Sequence, residues 1–166
     1  MHGSYSRYVV YFKEHKLIHT QIDIKRVLCR SCGVTHAVLP IDIIAYRLLS
    51  LLVCLFILFE YYLKKTPALG LADHINGSFQ FIYSVLHAFQ KHASLIHLFF
   101  RRTAPARAPE VPCPVALLKR IDSFNPLRKF QQDYLSENNR PCLMCKFFDG
   151  GGGPTIGSVP PLKGAT

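Results

Sequence analysis

Hydrophobic and polar positions along the chain change their period near residue 40. Tyr8 to Phe12 is a run of aromatic and β-branched residues, the composition of a strand. After a polar break at Glu14-His15-Lys16, Ile18, Thr20, Ile22 and Ile24 alternate with His19, Gln21, Asp23 and Lys25. A period of two marks a half-buried strand, so the two runs predict a β-hairpin. Thr35 to Leu39 predicts a third short strand, ended by Pro40.

From residue 41 the pattern turns helical. Leu48 to Phe59 is almost wholly apolar. A membrane-spanning helix needs about 20 apolar residues, and a run of about 10–14 is more often a core helix. The run predicts a buried helix from about Asp42 or Tyr46 to Lys65, with membrane contact through residues 41–63 as the alternative. Thr66-Pro67 predicts a helix start, Thr as the cap and Pro in the first turn, where no N–H is required. That short helix ends at Ile75. Asn76-Gly77 predicts a turn, since both residues tolerate positive φ. Ser78 can cap the next helix. In it Phe79, Ile82, Val85, Leu86 and Phe89 recur at helical spacing, while Gln80, Tyr83, Ser84, His87 and Lys91 fall mostly on the other face.

Past residue 100 the character changes again. Arg101 to Pro109 reads as a Pro- and Arg-rich linker. Short helices are expected over Val115–Ile121 and Leu127–Leu135, and a flexible Gly- and Pro-rich tail from Asp149. The chain therefore divides into 1–40, 41–100 and 101–166. The predicted class is α+β: an N-terminal β-hairpin, a helical domain holding a helix-turn-helix, and a poorly structured C-terminal tail.

Charge bears on partners. Twenty Lys and Arg against ten acids give a formal charge of +10, which favours a polyanion: nucleic acid or an anionic membrane surface. The layout of Thr66 to Lys91 favours DNA. A small residue, Ala72, sits where two helices must approach, and Asn76 sits at the turn, where a left-handed residue is needed. The N-terminal part of the second helix of such a motif enters the major groove. Gln80, Tyr83, Ser84 and His87 are then the candidate base contacts. Lys64, Lys65, Lys91, Arg101 and Arg102 are the candidate phosphate contacts.

Six cysteines add metal chemistry. The start of the chain lacks the apolar stretch of a signal peptide, so a reducing, cytoplasmic setting is expected, with paired cysteines holding metal or remaining free thiols. Cys29-Arg30-Ser31-Cys32-Gly33 has the shape of a zinc knuckle: the gap lets both thiolates face one ion, and the glycine permits the tight turn. This is half of a four-ligand site. His2, His19 or His36 could supplement it, as could the distant pair Cys142 and Cys145.

The segments His2-Gly3-Ser4-Tyr5-Ser6-Arg7 and Ile24 to Pro40 resemble a family of short bacterial proteins that are similar to the N-terminal part of insertion-sequence transposases. The resemblance implies a zinc ribbon followed by a helix-turn-helix, and DNA binding associated with mobile elements. It does not imply transposition by this chain. A degenerate mobile-element fragment is a further reading of the same resemblance.

Catalysis is not expected. Phosphodiester chemistry on two metal ions needs a cluster of carboxylates. After residue 100 the acids are Glu110, Asp122, Asp133, Glu137 and Asp149, and no strand pattern gathers them. Gly150 to Gly153 lacks the Lys-Ser/Thr of a phosphate loop.

Overall fold

The computed structural model describes residues 3–14, 16–44, 49–124, 126–139 and 142–143. The period-two segment forms the predicted hairpin, longer than its apolar run. β1 (Ser4–Lys13) and β2 (Lys16–Leu28) pair antiparallel from Ser4 opposite Lys25 to Lys13 opposite Lys16. β3 (Thr35–Val38) pairs antiparallel with the end of β2.

The sheet does not end at residue 40. β4 (Ile43–Ile44) and β5 (Leu49–Ser50) pair with each other, and β5 runs parallel to β1 through Val10 opposite Leu49. The strand order is β3-β2-β1-β5-β4. This corrects the helix start expected at Asp42 or Tyr46. Ile43, Ile44 and Leu49 satisfy their backbone groups on the sheet edge, and the helix waits for a cap. Ser50 provides it, its Oγ accepting from the Leu52 N–H at 3.2 Å.

α1 (Leu51–Tyr62) holds the most apolar run of the chain, and the core takes it up. Val53, Cys54, Leu55, Ile57 and Leu58 are buried. Among the described residues no helix is long and apolar enough to cross a membrane. α1 packs against β1, where Phe12 and Phe56 place their ring centroids 4.4 Å apart.

α2 (Ala68–Ile75) and α3 (Phe79–Thr103) form a helical hairpin. Two details of the expected turn chemistry change. Thr66 does not cap α2: its hydroxyl donates to Glu60 at 3.2 Å, and Pro67 takes the cap position without a side-chain bond. Only Asn76 uses the left-handed region, at φ 53°. Gly77 serves by having no side chain, since a Cβ there would lie 3.3 Å from carbons of Ile75 and Leu17. The glycine thus lets the turn sit on β2. Ser78 caps α3 as expected, accepting from the Phe81 N–H at 3.1 Å.

α3 is 25 residues long and takes in Arg101 and Arg102, expected in a linker. Its apolar face continues through Ile96, Phe99 and Phe100, and cations in the last turn suit the negative end of the helix dipole. A 3-10 turn (Pro105–Arg107) leads to α4 (Pro114–Asp122) and α5 (Leu127–Asn138), near the two short helices expected there. They dock on the end of α3. Phe99, Phe100, Phe124, Phe130 and Tyr134 form one aromatic cluster with centroid separations of 5.3–6.0 Å. The tail expected from Asp149 lies outside the described residues.

Candidate metal centre and nucleic-acid interface

The knuckle forms where β2 runs out. The Cys29 N–H donates to Val34 O and the Gly33 N–H to Cys29 O, both at 2.9 Å. Gly33 takes φ 68°, a left-handed conformation that a side chain would strain. The loop turns its amides on the first sulfur. Backbone N–H of Cys32, then the Cys32 thiol and the Ser31 N–H, hold the Cys29 thiol below its ordinary range. Hydrogen bonding to the thiolate, the form that ligates metal, is the cause.

β3 brings in a third donor. His36 stands opposite Val27 in the β2–β3 register, and its Nε2 lies 3.7 Å from Cys32 Sγ. The donor atoms of Cys29, Cys32 and His36 all lie within 4.8 Å of one another. Metal–sulfur and metal–nitrogen bonds of about 2.3 and 2.0 Å at a tetrahedral angle put such a pair about 3.5 Å apart. The cluster could therefore hold a metal ion with little movement. Cys29 is half-buried and the other two are exposed, so the site sits at the surface.

Of the three histidines left open by the sequence, the fold gathers His36. His19 lies on β2 opposite Val10 and is not part of the cluster. His2 lies outside the described residues, as does Cys145. Cys142 does not join the knuckle. It is packed in the helical core, its N–H donates to Gln131 Oε1 at 3.3 Å, and burial pushes its thiol pKa far up. The signal for His36 was its place four residues after Cys32, one residue into a strand that folds back.

On α3, Gln80, Tyr83, His87 and Lys91 are exposed and follow one side of the helix, backed by buried Ile82, Val85, Leu86 and Phe89. Ser84, four residues after Gln80, falls on the same side but is half-buried, and its hydroxyl donates to Phe81 O at 2.8 Å. Tyr83 packs against Phe79, with centroids 4.5 Å apart and the rings tilted by 57°.

The candidate phosphate contacts divide. Lys64 pairs with Glu60 at 2.6 Å, and Arg102 with Glu137 at 3.2 Å. Lys65, Lys91 and Arg101 are exposed and make no ion pair with a described residue. Compared with family models, curated proteins and solved structures, the chain matches none.

Proposed function

We propose that this chain is a DNA-binding protein without a catalytic domain, related to the N-terminal part of insertion-sequence transposases. A zinc ion braces its β ribbon, and its helical hairpin meets the duplex. The supporting observation is the exposed row Gln80, Tyr83, His87 and Lys91, which begins just after the tight turn at Asn76. A short helix, a left-handed turn and a capped second helix with one polar side give the order that major-groove recognition uses. Gln80 offers paired amide contacts to adenine. Lys65, Lys91 and Arg101 offer charge to phosphates. Lys64 and Arg102 contribute less, because a carboxylate already meets each of them.

Two thiolates and an imidazole are a donor set that suits zinc. Bound there, the ion would tie the end of β2 to β3 and leave one coordination position for water or a further donor. The membrane reading gains no support, because most of the described apolar residues it would use are buried in the core, Leu52 being exposed.

A gel-shift titration at low ionic strength tests the reading. The chain should shift a random-sequence duplex and release it as salt rises. The pair K91Q/R101Q should weaken the shift about tenfold or more. No shift at low salt would contradict the proposal.

A further inference from the structure

The basic residues of the N-terminal strands take no part in that reading. Strand register sorts them. Tyr5 lies opposite Ile24 and Arg7 opposite Ile22, while Arg26 lies opposite Ala37 and Leu28 opposite Thr35. Opposed residues share a face of the sheet, and so do alternate residues of one strand. Tyr5, Arg7, Arg26, Thr35 and Ala37 therefore come to one face, where they line a shallow concavity. Tyr5, Arg7, Arg26 and Thr35 all belong to the sequence segments that carry the family resemblance.

Charge in this concavity is of one sign. No carboxylate lines it. Asp23, the acid of β2, alternates to the other face, where the Ser6 hydroxyl donates to it. Neither arginine makes an ion pair with a described residue. The Arg7 guanidinium lies over the Tyr5 ring, 5.4 Å from its centroid, which limits the side chain's freedom before any ligand arrives. Thr35 and Ala37 flank His36 on β3, whose own side chain alternates to the opposite face.

The spacing points to an extended ligand. The Arg26 N–H donates to Gly3 O, so Arg26 stands level with residue 3, four positions from Arg7 along β1. At about 3.4 Å per residue their Cα atoms lie about 14 Å apart. A single phosphate would occupy one guanidinium fork, whereas a chain of phosphates can occupy both. The Tyr5 hydroxyl lies between them as a further donor, and that of Thr35, opposite Leu28, lies just beyond Arg26. We propose that this concavity binds the phosphodiester backbone of DNA, as a second contact surface distinct from α3. It shares its partner with the reading above but none of its residues.

The test is the salt dependence of the affinity of the full chain for a short random-sequence duplex. Each phosphate contact contributes about 0.9 to the slope of log affinity against log salt. R7Q/R26Q should flatten the slope by about 1.8 and weaken low-salt binding at least tenfold, with circular dichroism and metal content unchanged. R7K/R26K should keep most of the slope. An unchanged slope in R7Q/R26Q would overturn the proposal. If that double variant does not fold, R26Q, exposed in the fold, carries the test with a change of about 0.9.

K91Q/R101Q run in parallel separates the two surfaces. A flat response there, with loss in R7Q/R26Q, sinks the α3 reading and leaves this one standing. Loss in K91Q/R101Q alone does the reverse. Vesicles of phosphatidylcholine with phosphatidylserine form the last arm. If R7Q/R26Q loses vesicle binding but keeps its duplex slope, the surface belongs to a membrane and the proposal is wrong.

Discussion

Cys32 lies in the turn that closes β2 onto β3 and His36 on β3 just after it, and their donor atoms are 3.7 Å apart. That contact makes individual ligands testable. Cys29→Ser and Cys32→Ser should each abolish stoichiometric metal binding, read by elemental analysis of the purified chain. His36→Ala should weaken it about ten- to a hundredfold. His19→Ala should leave it intact, because His19 is not part of the cluster. Loss of metal with His19→Ala but not His36→Ala would show that a different ligand set operates. Legibility at this scale was uneven. The spacing of Cys29, Cys32 and Gly33 announces a knuckle because its geometry is local. The choice among His2, His19 and His36 depended on the β2–β3 register, which period-two patterning does not specify. Thr66 was misread for a related reason: Thr before Pro is a sound cap locally, but Glu60, a turn away, competes for its hydroxyl.

At the scale of elements, the end of α1 depends on Glu60. Its carboxylate accepts from Lys64 Nζ at 2.6 Å and from Thr66 Oγ1 at 3.2 Å, joining the helix to the segment that enters α2. The hydrogen bond from Lys64 is the main cause holding the Glu60 carboxyl below its ordinary value of 4.5. A depressed carboxylate stabilises the fold above the unfolded value, and that contribution fades as pH falls through the lower folded one. Lys64 is largely exposed, so the stabilisation is at most about 1 kcal/mol. Glu60→Gln should therefore lower urea stability by about that much at pH 7 and by progressively less below pH 4.5. An equal loss at pH 7 and pH 3 would contradict the assignment. The helices themselves were readable where periodicity was long, as in α3. They were misplaced where an apolar run could serve either structure. Ile43, Ile44 and Leu49 are as fit for a sheet edge as for a helix, and pairing with β1 decided the matter.

The whole molecule is held together by its C-terminal helices more than the sequence suggests. Composition after residue 100 is poor in core formers, yet Leu117, Leu118, Ile121, Phe130 and Tyr134 are all buried. Tertiary context supplies what local pattern lacks: Phe130 and Tyr134 meet Phe99 near the end of α3, and α4 packs on both α1 and α3. Phe130→Ala should cost about 3–5 kcal/mol in chemical denaturation, the range for truncating a buried aromatic ring. A loss below about 0.5 kcal/mol, typical of a surface site, would mean that α5 is not part of the folded core. The charge of +10 is likewise a property of the whole. That figure already counts Glu60 and Glu137, and exposed cations stand on α4 and α5 (Lys119, Arg128, Lys129) as well as on α3 and the ribbon. The claim that α3 lies against DNA is tested most directly by a photo-crosslinking residue at position 83 of the full chain, irradiated with a labelled duplex. An adduct that forms at low salt and disappears at high salt is predicted. Efficient binding with no adduct from position 83 would contradict it.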